Sequence, residues 1–336
     1  MCADKDFLCN FAKILHISSS VISMPGKNSG YIYGVIAAAS YGLNPVFALP
    51  LLEGGMDAVS ILFFRYVLAL PAVWLLMRMR GRHASIGLER ILPICGLGLL
   101  MAVSSITLFR SYLYMDVGIA STLLFVYPIM VMLIMVGFFH EVMLMRTFVC
   151  MLGALAGVWL LCGTAGDGHV SIPGIMLVMV SALSYAIYIV GINRRPVRSV
   201  ATLSLTFWVL LCGSVVLGLF ILARGELALP DGGLQWGAVV ALALVPTVVS
   251  FLCTNTAIEK IGSTPTAVLG VFEPVTAVIF GVLLFGETLS LRGIIGLLLI
   301  LVCVTLVIAK GNLTRQVLSI RKLFPIAKRH HHHHRR

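Results

Sequence analysis

The chain has 336 residues, 60% of them apolar and only 11% charged, with 24 Lys+Arg, 13 Asp+Glu and a net charge of +11. A soluble domain carries about 25% charge, so a water-facing globule is excluded; disorder, which needs low hydrophobicity, and a disulfide scaffold, which needs far more than eight cysteines, go with it. What fits is an all-α polytopic membrane protein, and at about 20 residues per span the apolar content allows roughly ten.

The tail 1–28 mixes both charges (Asp4, Lys5, Asp6, Lys13, Lys27) and shows no compact apolar core before a small-residue site, so no cleaved signal peptide is expected. Ten apolar runs follow, at 30–51, 58–77, 91–113, 118–139, 146–163, 172–192, 200–223, 236–257, 265–285 and 291–309. They are continuous rather than alternating, which predicts helices and not a barrel. Links as short as 115–117 and 286–290 make consecutive helices antiparallel neighbours. Within the fifth run, Gly153 and Gly157 form a GxxxG that allows close helix approach, by internal packing or at a dimer seam, so the chain is expected as a monomer or homodimer. The basic tail 310–336 ends in His330–His334, which resembles a purification tag.

With the N-terminus inside, 20 of the 24 basic residues fall on the cytoplasmic side. Arg110, Arg224 and Arg292 fall outside, and Arg65 lies within a span. The asymmetry predicts a cytoplasmic N-terminus and C-terminus in a cell inner (plasma) membrane. It also assigns the positive charge to the anionic leaflet rather than to nucleic acid.

The two halves resemble each other. Ser40-Tyr41 recurs as Ser184-Tyr185, and Pro128, Glu141 and Arg146 recur as Pro274, Glu287 and Arg292. This divides the chain into repeats at 29–165 and 170–309. Each holds five spans; because five is odd, the second enters the membrane from the opposite side. The expected fold is therefore ten transmembrane helices as two inverted five-helix repeats, whose solute sites lie near mid-membrane between the halves.

Candidate site residues follow from depth. Arg65 lies about 12 Å inside the second span at about 1.5 Å per residue, and a charge there must face the bundle interior. It reads either as a binder of an anionic solute group or as a structural cation held by carbonyls and polar side chains. Glu273 is equally deep in the ninth span, where a carboxyl reads either as a proton exchanger while a cavity changes sides or as a neutral or donor-paired group that seats the helix beside Pro274. A mutual Arg65–Glu273 pair is the third reading. Asn44-Pro45 interrupts the first span one turn after Tyr41, and irregular backbone at depth belongs beside a cavity. Tyr41, Tyr127, Tyr185 and Trp208 read either as walls of that cavity for an apolar or aromatic solute or as packing and interfacial anchors. Glu141 and Glu287, at turns before Arg146 and Arg292, read as caps or ion-pair partners, and Asn255 and Arg110 are weaker candidates.

The stretch 270–308, with Glu273-Pro274, Gly286-Glu287 and Gly296, resembles the closing hairpin of EamA-type permeases of the drug/metabolite transporter superfamily. Residues 61–71 around Arg65 resemble that family's second helix, and 38–47 its first. The first repeat departs from the closing pattern, with Tyr127 in place of the Glu before Pro128 and His140 in place of the Gly before Glu141. A symmetric carboxylate pair is therefore not expected. The resemblance implies an inner-membrane carrier exporting amino acids, metabolites or drugs.

No P-loop, dinucleotide fingerprint, zincin motif or CxxC pair is present in the sequence, so no cofactor, metal or enzymatic activity is expected. The reading is a secondary transporter of small organic solutes by alternating access, with proton coupling through Glu273 as an option. A channel-like facilitator is the alternative, and an intramembrane enzyme a more distant one.

Overall fold

The computed structural model describes residues 28–81, 86–111, 113–115, 120, 123–140, 145–162, 171–195, 197–285, 291–303 and 306. The elements among them are helical: α1 (Asn28–Gly42), α2 (Asn44–Glu53), α3 (Ala58–Met79), α4 (Leu88–Ser111), α5 (Tyr127–Phe139), α6 (Met145–Cys162), α7 (Ile172–Ile192), α8 (Thr202–Arg224) and α9 (Gly232–Ala243). A π-helical segment, Leu244–Val249, runs into α10 (Ser250–Ile261), followed by α11 (Ser263–Leu269), α12 (Phe272–Phe285) and α13 (Leu291–Cys303). Each of the ten apolar runs contains helix. Among the described residues six stretches are long and apolar enough to cross a bilayer: Ser29–Glu53, Ala58–Met79, Glu89–Ser111, Ile172–Ile192, Thr202–Arg224 and Gly232–Ile261. Both tails and the turns holding Glu141 and Glu287 lie outside the described residues.

Local chemistry sets the boundaries. Asp57 caps α3 by accepting a hydrogen bond from the Ser60 amide at 3.3 Å. Ser171 caps α7 through the Gly174 amide in the same way. These bonds satisfy amides that have no partner within the helix. Gly225, at φ +74°, closes α8 in the left-handed conformation that suits glycine.

Large apolar side chains point outward, among them Leu92 (81% exposed), Phe138 (79%) and Leu222 (77%). In water such a surface would be a liability; against lipid it is the expected one. Inside, small and polar residues line the helix seams. Ser181 Oγ donates to the Ser104 carbonyl at 2.7 Å across the α4–α7 seam. The two GxxxG glycines seat α6 on α13: a Cβ at Gly157 would stand 2.8 Å from the Gly296 carbonyl, and one at Gly153 would meet Cys303 Sγ.

The principal seams are α4 with α7, α1 with α10, α3 with α8, α4 with α8, α3 with α9 and the π segment, α1 with α12, and α5 with α7. At offsets of 144, which superposes Tyr41 on Tyr185, and 146, which superposes Pro128 on Pro274, α4–α7 corresponds to α10–α1 and α5–α7 to α12–α1. The α3–α8 seam corresponds to itself.

Candidate functional site

The site forms where three helical paths lose their regularity. In the first, α1 stops at Gly42 and α2 restarts at Asn44, with Pro45 in its opening turn. Proline lacks an N–H and its ring obstructs the preceding turn, so Tyr41 is left at a helix end. The second is the π-helical Leu244–Val249, whose wider turn contains Pro246. The third separates α11 from α12 at Gly270-Val271, with Glu273 in the first turn of α12 ahead of Pro274.

Two glycines bring these breaks together. A Cβ at Gly42 would collide with the Glu273 carbonyl oxygen and stand 2.8 Å from Thr276 Cβ, so α1 and α12 touch through bare backbone there. At Gly270, a Cβ would occupy the position of the Tyr127 hydroxyl. That hydroxyl instead donates to the Ala267 carbonyl at 3.3 Å.

Between the breaks lies a narrow cleft. Its walls are Gly34, Ala37, Ala38 and Tyr41 of α1, Tyr127 of α5, Tyr185 and Ile189 of α7, and Ser250 and Thr254 of α10. Thr266, Gly270 and Glu273 complete it. Tyr127 and Tyr185 meet edge to face at 4.8 Å, and Tyr185 stacks on Tyr188 at 6.1 Å. The open space is about 20 Å³, roughly what one water requires. This conformation therefore leaves no room in the cleft for an organic solute.

The two mid-membrane charges differ sharply. Arg65 is 2% exposed. Its Nε donates to Thr247 Oγ1, and its two terminal nitrogens donate to Asn44 Oδ1 and the Pro246 carbonyl, each at 3.1 Å. The guanidinium also sits 5.2 Å from the Tyr41 ring centroid. Arg65 thus clamps the α1–α2 break to the π segment, and Thr247 in turn donates to the Leu242 carbonyl at 2.9 Å. Glu273 reaches the cleft, and among the described residues no side-chain or backbone donor bonds its carboxyl. Arg65 and Glu273 do not join in an ion pair.

Six of the seven residues singled out by sequence thus converge: Tyr41, Tyr127, Tyr185 and Glu273 on the cleft wall, Arg65 and Asn44 just behind Tyr41. Trp208 does not join them. It lies on α8, edge to face with Phe207 at 6.2 Å and half-buried against the main core. Asn255 is also internal, donating to Thr206 Oγ1 and accepting from the Tyr188 hydroxyl. Sequence reasoning passed over Thr247, Ser250, Thr254 and Thr266. Their signal was available, since each is a hydroxyl inside an apolar run.

The EamA-like transporter family matches the chain twice, over residues 28–163 and 172–309. The chain belongs to the EamA-like transporter family. It is 27% identical over 266 residues to an uncharacterized transporter of Archaeoglobus fulgidus, covering 78% of this chain and 90% of that one. The uncharacterized transporter YcbK of Bacillus subtilis is 20% identical over 278 residues, at 80% and 89% coverage. A solved crystal structure superposes with a TM-score of 0.74 at 18% identity, over 87% of this chain and 99% of that chain; this likeness concerns the fold alone. Family and helices together make the chain a multi-pass membrane protein, and they point to a transporter rather than an enzyme.

Proposed function

We propose that the protein is a secondary transporter of small organic solutes, working by alternating access between two inverted five-helix repeats at 29–165 and 170–309. The observation that carries the reading is a narrow cleft built by both halves: Tyr41 and Tyr127 come from one, Tyr185 and Glu273 from the other. A site built by both halves opens to one side or the other as the halves move. Support for a two-fold relation comes from the helix seams, which exchange with their counterparts or map onto themselves between the repeats, and five spans per repeat, an odd number, support placing that axis in the membrane plane. The placement of basic residues supports cytoplasmic termini in the inner membrane, with export as the direction.

Cleft chemistry narrows the solute. Arg65 donates from all three guanidinium nitrogens to Thr247, Asn44 and Pro246, and only two of its five N–H groups remain for an anion. Glu273 is the charge-bearing group at the wall, beside the faces and edges of three tyrosines. Aromatic faces attract cations, and a carboxyl without a protein donor is suited to alternate between a proton and a solute. The favoured cargo is therefore a cationic or neutral solute with an apolar or aromatic body, exchanged against protons.

Proteoliposomes with an imposed pH gradient test this. Saturable uptake of ethidium or of an aromatic amine is expected, with benzoate excluded. Absence of saturable flux for cationic, neutral and anionic solutes alike would contradict a carrier, whereas flux linear in concentration would favour a channel-like facilitator.

A further inference from the structure

A second feature lies away from the cleft, on the seam between α4 and α8. These helices belong to different family matches, α4 to residues 28–163 and α8 to residues 172–309. Cys95 on α4 and Cys212 on α8 face each other with their sulfurs 2.8 Å apart. The backbones are close as well. A Cβ at Gly98, one turn on from Cys95, would stand 2.7 Å from Cys212 Cβ and 2.9 Å from the Val209 carbonyl. Glycine at 98 is what allows the approach. Both thiols are half-buried, whereas Cys150, Cys253 and Cys303 are buried. Core packing explains buried cysteines as small apolar fillers; it does not explain two thiols from separate halves held sulfur to sulfur at a partly open seam.

We propose that Cys95 and Cys212 form an oxidant-operated latch that ties the first half of the molecule to the second. The co-reactant is a peroxide. One thiol, as thiolate, attacks a peroxide oxygen, giving a sulfenic acid and hydroxide, which takes up the released proton and leaves as water. The second thiol attacks the sulfenic sulfur, the S–S bond forms, and the sulfenic oxygen leaves as the second water. The peroxide gains the two electrons that the two sulfurs lose. A dithiol reductant reverses the bond by exchange. With the bond closed, α4 and α8 cannot separate, and the halves stay in the arrangement they have here. Without an oxidant the pair rests as dithiol, so the latch closes only under oxidative load.

The test is independent of any solute. Purified full-length protein is treated with hydrogen peroxide, unfolded, and its remaining thiols are titrated and mapped by peptide mass spectrometry. The eight thiols should fall to six, with a single link between the peptides carrying Cys95 and Cys212, and dithiothreitol should restore eight. Cys95→Ser and Cys212→Ser should each prevent the link. The oxidised protein should melt about 5 °C above the reduced one, because the link restricts the unfolded chain. Eight thiols remaining, sulfenic or sulfinic acid without a link, or a link through another pair of cysteines would overturn the proposal. A linked protein that melts no higher than the reduced one would overturn the tie between the halves. The mapping needs only the wild-type chain, so a variant that fails to fold does not remove the test.

Discussion

Arg65 and Glu273 are two lone charges at similar depth, and the protein treats them in opposite ways. Around Arg65 it supplies a hydroxyl, an amide oxygen, a carbonyl and a ring face. To the Glu273 carboxyl the described residues supply no donor, only a cleft and three tyrosines. Burying a charge is costly unless it is paired and hydrogen-bonded, and each of the three guanidinium nitrogens of Arg65 has a protein acceptor, which favours reading it as a structural clamp. On the proposed function, Glu273, at the cleft with no such set, is the group whose partner comes and goes. Depth in a span identifies a charge that matters, and the partner list says for what.

That contrast breaks first at Arg65. Arg65→Ala should lower the melting temperature and the folded yield, because it strands Thr247, Asn44 and the Pro246 carbonyl; about 3 kcal/mol is expected from the lost charge-assisted bonds. A protein that elutes and melts like the parent yet has lost flux would return Arg65 to the binding site. Arg65→Lys keeps the charge but cannot reach three partners in one plane, and it should fall between parent and Ala by the same measurement.

Gly42→Val probes the close approach of α1 to the Glu273 backbone. Overpacking of this kind costs about 1–3 kcal/mol, read as a drop in melting temperature; a neutral result would mean that α1 and α12 do not meet there. A smaller effect is expected for Tyr127→Phe, which removes one hydroxyl donated to Ala267, about 1 kcal/mol. Trp208→Phe should be the mildest, with proteoliposome flux within about twofold of the parent. A large loss there would place the solute path along α8 instead.

Much of this was legible in the sequence because lipid imposes long apolar runs and penalises stray charges. Arg65, Glu273 and the Asn44-Pro45 break stood out for that reason, and so did the close-packing glycines of α6. Other features were hidden. Pro246 in 236–257 hints at an irregular turn, but neither its π-helical form nor the distant guanidinium that bonds its carbonyl follows from the local pattern. Trp208 left two readings open, because an aromatic in a span has the same appearance whether it faces a cleft or packs beside Phe207. Whether Arg65 bound solute or protein depended on groups more than 180 residues away along the chain.

The most direct test is Glu273→Gln in proteoliposomes, with pH-driven uptake and solute counterflow measured on the same preparation. The amide keeps the shape of the side chain and removes its proton exchange. Uptake driven by the pH gradient should be lost while counterflow persists. Loss of both, or of neither, would contradict a proton-exchanging carboxyl at the centre of the transport cycle.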